Sequence, residues 1–445
     1  MIPCLLIIII FIFWETMVKN PLPFGKLKNL KKDHLIKDSA YMVFSNIYSK
    51  GMAYLFYFIT ALILGTEGFG ILRGLLPLMD TVTIFFCSGI APSMAKYISE
   101  YSNAKEHNWI FSVLFVMIFF STLGAIFIVL LKFILGGGYG NIDTKLYIFV
   151  GVAVISSSFL SWSRGVLQGI LKIKDLSKTW IIEHSFRILF VIVLSMYLGV
   201  LGSIISISLA YLLGGVFGFH LLKKHLNVNI SIRDTLNNIK EKKELIKEIL
   251  LYAIPIALGS ASYRFLNDLD SIIIMSLLGA QENGIYGYPS LLSRGVFLFA
   301  SAIAIPLLPR MAKTKNFKNI KRALLINLIL IIPVLAVMFI FSKEVLMVLF
   351  GIDDYRASLS LKILSISAGF MSSYTICSSS LQGLGYAKIP LYILLVGILL
   401  NGILNYVFVK KMGIIGGAYG TLISSLFIFI MVFLYLKKII KKNNN

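Results

Sequence analysis

Charged side chains stand inside two otherwise apolar segments of this sequence: Arg264, Asp268 and Asp270 in the first, Arg294 in the second. An ionisable group at bilayer depth is costly unless it faces a partner or a polar cavity, so it marks a candidate functional site. Arginine presents a planar donor fork that suits a phosphate or pyrophosphate, whereas a buried aspartate can take up a proton or a cation. These residue types therefore indicate binding and movement of charged substrates or ions.

An earlier stretch of the chain repeats the segment that carries these charges. In that register Lys50 falls on Arg264, and Asp80 falls on Arg294. The offset is 214 residues, and it matches Leu64-Gly65 with Leu278-Gly279, Gly70-Ile71 with Gly284-Ile285, Leu167-Gln168-Gly169 with Leu381-Gln382-Gly383, and Gly199 and Gly202 with Gly413 and Gly416. Internal repeats place the substrate site of many transporters between the two halves, near the middle of the membrane.

The composition excludes a soluble protein. Of 445 residues 58% are hydrophobic and 14% are charged, and the mean hydropathy is +0.87, so we predict an all-α polytopic membrane protein. Twelve apolar stretches are long enough to span a bilayer, which gives two parallel-related lobes of six helices. Their limits are 40–64, 71–95, 109–133, 146–170, 176–198, 201–222, 250–278, 284–309, 323–350, 358–383, 389–409 and 414–436.

The positive charges lie mostly in the loops on the side of the two termini. This bias marks the cytoplasmic side, so we expect both termini to be cytoplasmic in a multi-pass protein of the cell membrane. The net charge of +22 is then explained by topology and by contact with membrane lipids, without nucleic acid. The predicted organisation is an N-terminal cytoplasmic or interfacial segment 1–39, a first lobe 40–222, an amphipathic cytoplasmic linker 223–249, a second lobe 250–437 and a tail 438–445.

The candidate site combines residues from spans one, two, seven and eight. Lys50, Tyr54 and Tyr57 share one helical face through spacings of four and seven. With Arg264 and Arg294 they form the candidate substrate-binding set. Asp80, Asp268 and Asp270 are the candidates for gating or for coupling to H⁺ or Na⁺. On an ideal helix Asp268 and Asp270 project about 200° apart, so we expect one of them to face the cleft between the lobes.

Two interpretations of these charges stay open. In the first, Lys50, Arg264 and Arg294 bind an anionic headgroup. In the second, the charges are structural pairs, Arg264 with Asp268 and Asp80 with Arg294. An Asp80–Arg294 pair that opens to admit substrate, as an outer gate, would reconcile the two.

Other polar residues give weaker signals. Glu183 and Arg187 have the spacing of a helical ion pair, and Arg164 stands where its side chain would extend to the cytoplasmic headgroups. Three cysteines and five histidines show no spacing of a metal site or a disulfide framework. We therefore predict no metal and no cofactor, and the absence of any outward-facing motif with catalytic spacing indicates that the chain is not an enzyme.

The order and spacing of short motifs resemble the polysaccharide biosynthesis and export family, whose members include oligosaccharide flippases. That family belongs to the multidrug/oligosaccharidyl-lipid/polysaccharide (MOP) flippase superfamily. The similarity covers nearly the whole chain from about residue 36. The matching residues are Leu64-Gly65 to Gly70-Ile71, Gly89-Ile90-Ala91 to Glu100-Tyr101, Asp270 with Leu278-Gly279 and Gly284-Ile285-Tyr286, Leu381-Gln382-Gly383-Leu384-Gly385, and Asn405-Tyr406 before Gly413 to Ala418.

The resemblance implies two six-helix lobes in a V shape, alternating access, and a lipid-linked oligosaccharide substrate. Its isoprenoid carrier would cross from the cytoplasmic to the outer leaflet, and glycan-assembly enzymes would be partners. Relatives similar to lipid II flippases have fourteen spans, and the twelve predicted here favour an oligosaccharide substrate. The alternative within the superfamily is a cation-coupled efflux antiporter for drugs or metabolites. A membrane channel or scaffold that transports nothing would leave the repeat and the buried charges without a reason.

Overall fold

The computed structural model describes residues 34–100, 109–226, 241–296 and 317–444 apart from Ala387, with short stretches between 299 and 311. Every regular element in these ranges is a helix, which confirms the all-α prediction. Residues 1–33 of the predicted N-terminal segment and 227–240 of the predicted linker lie outside the described residues. Residues 243–249 of that linker form the first turns of a long helix, Lys243–Leu278.

The helices are numbered in chain order. They are α1 His34–Ile63, α2 Gly65–Thr83, α3 Ile90–Glu100, α4 Trp109–Leu135, α5 Thr144–Gly169, α6 Ile173–Lys223, α7 Lys243–Leu278, α8 Ala280–Gly295, α9 Lys318–Ile340, α10 Ser342–Phe350, α11 Tyr355–Gly383, α12 Lys388–Met412 and α13 Ile414–Asn444. A π-helical stretch, Ile84–Ser88, joins α2 to α3. Gly199 has a non-helical backbone and divides α6 into two helices.

Eight helical segments of the described chain are long and apolar enough to cross a membrane. The segment Gly65–Glu100 contains α2, the π-helical stretch and α3, and α6 contains two predicted spans. Helices α1, α8 and α11 are not among the eight, although each overlaps a predicted span. Helix α8 has only 16 residues. Helices α1 and α11 are interrupted more often by tyrosine, serine or charged residues, as expected for helices that contribute polar groups to the interior of a bundle.

The internal repeat is visible in the backbone. Four pairs of residues at the predicted offset both have positive φ: Gly65 and Gly279, Gly137 and Gly351, Leu171 and Gly385, Gly199 and Gly413. Close contacts repeat too: a Cβ on Gly202 would clash with the backbone of Leu194, and one on Gly416 would clash with that of Phe408. The turns between spans are therefore equivalent in the two halves.

The cores of the two halves meet along α2, α7 and α8. Buried side chains of α1, α2, α4, α5 and α6 form most of one core, which also contains Ile272 and Met275 of α7, and those of α11, α12 and α13 contribute to others. Between them α2 packs against α7 and α8. Phe69 of α2 stacks on Tyr288 of α8 with ring centroids 5.2 Å apart. These three helices carry most of the predicted site.

Farther along the second span, past the π-helical stretch, α3 packs against α7. The Ser93 hydroxyl donates to the carbonyl of Ile249 at 3.0 Å. The Lys96 ammonium lies over the ring of Tyr252, 4.2 Å from its centroid. The π-helical stretch thus separates two contact regions of one span, and such stretches recur at functional sites.

Candidate functional site

Glycines bring α2 and α8 close together beside the charged residues. A Cβ on Gly70 would clash with the backbone of Ala280, and one on Gly284 would clash with the backbone of Thr66. Because 66 and 280, like 70 and 284, differ by the repeat offset, these contacts are the two halves of one pseudo-twofold crossing. The side-chain amide of Asn283 donates to the carbonyl of Gly70 at 2.7 Å across it. This crossing closes the end of the bundle that contains Gly65 and Gly279.

Asp268 is the centre of the charged network. Its side chain is 1% exposed and pairs with three arginines from three helices. Arg294 of α8 makes the shortest contact, Arg264 of α7 lies at 3.3 Å and Arg73 of α2 lies at 3.6 Å. A buried carboxylate requires such compensation, since an unpaired one would be strongly destabilising. Asp268 thus ties both halves of the molecule together.

Asp270 follows Asp268 by two residues on α7 and is also buried. Its carboxylate accepts hydrogen bonds from Arg294 Nη2 at 3.0 Å, Tyr286 Oη at 2.7 Å and the backbone amide of Ser271 at 2.8 Å. The Ser271 hydroxyl donates to the side chain of Asn283 at 2.7 Å, which links Asp270 to the glycine crossing. Both aspartates are thus bound by Arg294, and Asp270 additionally lines a cavity in the second half.

Asp80 pairs with Arg264, not with Arg294. The Arg264 Nη2 to Asp80 Oδ2 distance is 2.6 Å, and the two side chains are 31% and 28% exposed. The predicted Asp80–Arg294 pair is therefore wrong in this structure, since Arg294 is held by the two buried aspartates of its own half. The predicted pair of Arg264 with Asp268 is present, and the contact between the halves runs from α2 to α7.

The other predicted substrate-binding residues lie beside this network on α1. The Tyr57 hydroxyl accepts a hydrogen bond from Arg264 Nη2 at 3.4 Å. The hydroxyl of Tyr54 lies 3.0 Å from where a Cβ on Gly295 would be, so this tyrosine packs against the end of α8. Lys50, one turn earlier on the same helix, is exposed. The three residues therefore run along α1 away from the network.

Several residues of the network were not among the sequence-based candidates. Arg73 donates to the Ser290 hydroxyl at 3.1 Å, and its guanidinium lies 5.4 Å from the centre of the Tyr57 ring. An arginine inside a predicted span was a usable signal, but its counterpart in the repeat is Gly287. A Cβ on that glycine would clash with the Phe69 ring at 2.8 Å and would touch Arg73 Cγ at 3.4 Å, so the glycine lets α2 and α8 pack closely here. Tyr286, Ser271 and Asn283 gave no signal beyond being polar.

The network is neutral, but its exposed side is basic. It contains Arg73, Arg264 and Arg294 against Asp80, Asp268 and Asp270. Asp268 and Asp270 are 1% and 4% exposed, whereas Arg264, Asp80 and Arg294 are 31%, 28% and 22% exposed. The two arginines cover the two buried acids, and with Asp80 they leave an excess of one positive charge on the exposed side. Such a surface suits an anionic ligand.

A cavity of about 60 Å³ lies behind Arg294 and Asp270. It is partly open, and its lining from α7, α8, α11, α12 and α13 includes polar side chains such as Asn401 and Thr421 and apolar ones such as Leu364 and Met371. Three buried oxygens at or beside it have no hydrogen-bond partner in the described chain: Asn401 Oδ1, Asn405 Oδ1 and Thr421 Oγ1. Unpaired oxygens beside a space of this size can be satisfied by water or by a cation.

A second charged cluster lies inside the first half. Arg187 makes a short ion pair with Glu183, as predicted from their spacing. Arg164 also binds Glu183, at 3.1 Å, and donates to the Thr179 hydroxyl at 3.1 Å. The prediction that Arg164 extends to the headgroups is therefore wrong, because a buried carboxylate on the neighbouring helix holds it. The ring of His184 lies 2.9 Å from the same carboxylate.

Comparison with known proteins identifies the family. The profile described as polysaccharide biosynthesis protein matches residues 35–315. The chain belongs to this family. An uncharacterised membrane protein of Methanocaldococcus jannaschii is 50% identical over 404 residues, which are 89% of this chain and 96% of the relative. The resemblance inferred from the motifs is thus confirmed.

Two further comparisons concern the superfamily. The MatE profile matches residues 255–407. A probable low-salt glycan biosynthesis flippase of Haloferax volcanii is 26% identical over 180 residues, 39% of this chain and 38% of the relative.

Solved structures show the same fold. A lipid II flippase in an inward closed conformation superposes with a TM-score of 0.69 and 17% identity, covering 90% of this chain and 87% of the other. An inward-facing multidrug resistance transporter of the MATE family gives 0.66 and 16%, covering 89% and 96%. The chain is thus a multi-pass membrane transporter or flippase of the MOP superfamily, whose fold and family are those of transporters and not of catalytic enzymes.

Proposed function

We propose that this protein is a flippase that moves an isoprenoid-phosphate-linked or isoprenoid-pyrophosphate-linked oligosaccharide from the cytoplasmic to the outer leaflet by alternating access. The observation that carries the proposal is the outward-facing basic side of the network, formed by Arg264 and Arg294 over two buried aspartates. A phosphate or pyrophosphate can accept several hydrogen bonds from such guanidinium groups. Tyr54, Tyr57 and Lys50 continue from the network along α1, where sugar hydroxyls and the anionic group have polar partners.

Coupling to H⁺ or Na⁺ is part of the proposal. Asp270 and the unpaired oxygens of Asn401, Asn405 and Thr421 supply the oxygen ligands that a small cation prefers. Arg294 forms an ion pair with the Asp270 carboxylate in this structure. A cation at Asp270 therefore requires Arg294 to move, for instance toward a bound anion. We also propose that the protein lies in the cell membrane with cytoplasmic termini, close to the enzymes of glycan assembly.

The second candidate function is efflux of drugs or metabolites by exchange for a cation. The match of the MatE profile to residues 255–407 favours it. The two functions differ in the ligand they need in the cleft, since an efflux antiporter for cationic drugs has no use for exposed arginines. Whether Arg264 and Arg294 bind an anionic ligand therefore distinguishes the flippase from the antiporter.

The test is translocation of a fluorescent polyprenyl-pyrophosphoryl oligosaccharide by the purified protein in proteoliposomes. We compare the native chain with Arg264→Lys and Arg294→Lys, which keep the charge and its pairing to the buried aspartates but lose the bidentate fork. We expect translocation at least about tenfold slower in each, because a lysine replaces a planar pair of donors with a single point charge. Arg356→Lys, in an exposed pair with Glu282, is the matched control.

Normal translocation in both lysine variants would contradict the role of the two guanidinium groups. No translocation by the folded native protein, together with drug-dependent cation exchange, would replace the flippase with the antiporter.

A further inference from the structure

The first half contains a filled counterpart of the cavity in the second half. Arg294, Asn401 and Ser425 line that cavity, and the repeat offset places Asp80, Arg187 and Tyr211 at the equivalent positions. The Arg187 guanidinium lies over the Tyr211 ring, 5.1 Å from its centroid. Because Arg294 and Asn401 line the same cavity, the repeat places their counterparts, Asp80 and Arg187, at the same place in the first half. A long basic side chain therefore occupies the space that stays open in the second half.

The charge of Arg187 exceeds what Glu183 alone neutralises. Glu183 is shared between Arg187, Arg164 and the ring of His184. Two arginines on one carboxylate leave a surplus positive charge in a largely buried place, which is unfavourable without a further anion. The Nε of Arg187 is buried and has no hydrogen-bond partner in the described chain. The guanidinium thus keeps donor capacity that Glu183 does not use.

Asp80 lies between this arginine and one from the other half. Arg264 Nη2 is 2.6 Å from its carboxylate, and the repeat places Arg187 on the side of the first half. With 28% of its side chain exposed, Asp80 is the most accessible of the three acids of the network. Asp80 can therefore leave its arginine partner at the lowest cost, because Arg264 is partly exposed and keeps its pair with Asp268.

We propose that Arg187 and Arg264 form one binding site for the phosphate or pyrophosphate of the substrate, and that Asp80 occupies this site in the ligand-free molecule. The inference rests on the proposed function and adds the first-half arginine of the site. A pyrophosphate offers more acceptor oxygens than one carboxylate, so it can bind both guanidinium forks while the freed Asp80 turns toward solvent. Because the two arginines belong to different halves, the bound anion joins the halves in place of the Asp80–Arg264 pair.

The test is the affinity of the purified protein for inorganic pyrophosphate and for polyprenyl pyrophosphate, measured by calorimetry. Asp80→Asn removes the resident charge but keeps the side-chain shape. We expect it to bind both ligands about tenfold more tightly, since the anion no longer competes with a carboxylate for the two arginines. Glu282→Gln removes an acid paired with Arg356 at 2.8 Å elsewhere, and as the matched control it should bind like the native chain.

Arg187 is tested in the Asp80→Asn background. Adding Arg187→Lys, which keeps the charge beside Glu183, should abolish the gain in affinity for both ligands. Affinity that is unchanged or weaker in Asp80→Asn would overturn the proposal. So would a gain that persists without the Arg187 guanidinium, because the tighter binding would then come from opening of the molecule alone.

The two proposals fail differently. If the pyrophosphate pattern appears but no lipid-linked oligosaccharide is translocated, the anion site stands and the flippase function is wrong. If translocation occurs but the affinity pattern is absent, the flippase stands and this assignment of its anion site is wrong. A response confined to polyprenyl pyrophosphate would place recognition on the lipid and overturn the headgroup site.

Discussion

The crossing of α2 and α8 predicts that a single methyl group opens one end of the protein. In Gly70→Ala the new Cβ meets the backbone of Ala280, and in Gly284→Ala it meets the backbone of Thr66. A backbone cannot rotate away as a side chain can, so the helices must separate. Because the contacts are equivalent by pseudo-symmetry, the two variants should have similar effects.

The magnitude follows from the tightness of the contact. Adding a methyl group to a well-packed contact costs about 1–3 kcal/mol, and here the clash is with backbone, so the upper value applies. About 3 kcal/mol corresponds to a change of roughly 100-fold in the equilibrium between closed and open forms. The hydrogen bond from Asn283 to the Gly70 carbonyl is lost when the helices separate, so it favours the closed form. It favours that form equally in both variants.

The assay is the labelling rate of a cysteine at position 290 by a water-soluble maleimide, in detergent and in a background without native cysteines. Ser290 is 1% exposed beneath the crossing, so a thiol there reacts only when this end opens. We expect labelling to accelerate in Gly70→Ala and Gly284→Ala by a factor of roughly 100 at most. Gly51→Ala and Gly259→Ala are the controls, since a Cβ at either position has nothing within 4 Å. Folded Gly70→Ala and Gly284→Ala proteins with unchanged labelling would refute the role of the crossing.

Three further predictions concern stability. Glu183→Gln should lower the free energy of unfolding by about 3–5 kcal/mol, because it leaves two buried arginines without their carboxylate, and thermal unfolding measures it; an unchanged midpoint would contradict the buried cluster. Leu171→Gly should raise stability by about 1 kcal/mol, since Leu171 has φ 57° and is 71% exposed; a lower midpoint would show that the leucine side chain matters more than the strain. Asp354 accepts hydrogen bonds from the backbone and side chain of Arg356, and although burial opposes ionisation, these bonds bring its pKa below the usual value. An aspartate whose pKa is lower in the folded than in the unfolded protein stabilises the fold at pH values above its unfolded pKa, and this stabilisation is lost as the pH falls through its folded pKa. The native chain should therefore be more stable than Asp354→Asn at neutral pH and lose this advantage below about pH 4. An advantage that persists in acid would contradict the ion pair.

The two equivalent halves could be predicted from the sequence, because the repeat appears as matching residues at a constant spacing along the chain. Matching Leu64-Gly65 with Leu278-Gly279 predicts equivalent turns, and the positive φ of both glycines follows from it. Charged residues in apolar segments likewise indicated which spans meet at the site. These signals depend on composition and order along the chain, which the sequence contains in full.

The pairing of the charges could not be predicted in the same way. The offset makes Asp80 and Arg294 equivalent, but equivalence does not say which residues face each other across the axis. That depends on how close α2, α7 and α8 approach, and buried Asp268 and Asp270 bind Arg294 first. Arg73 was missed for a related reason, since its counterpart in the repeat, Gly287, is uncharged and matters only through the close approach of α2 and α8.

The π-helical stretch Ile84–Ser88 changes the rotational phase of the second span. Arg73, Asp80, Cys87 and Met94 are seven residues apart, and in an uninterrupted α-helix they would stay within about 60° of one another. In the structure Arg73 and Asp80 contact the second half, whereas Cys87 and Met94 are buried in the core of the first. The extra residue in the π turn rotates the following helix by about 100°, so Ser93 meets α7 instead. Deleting one residue from this stretch would therefore restore the α-helical phase and turn the face that contacts α7 away from it, without changing the composition of the span.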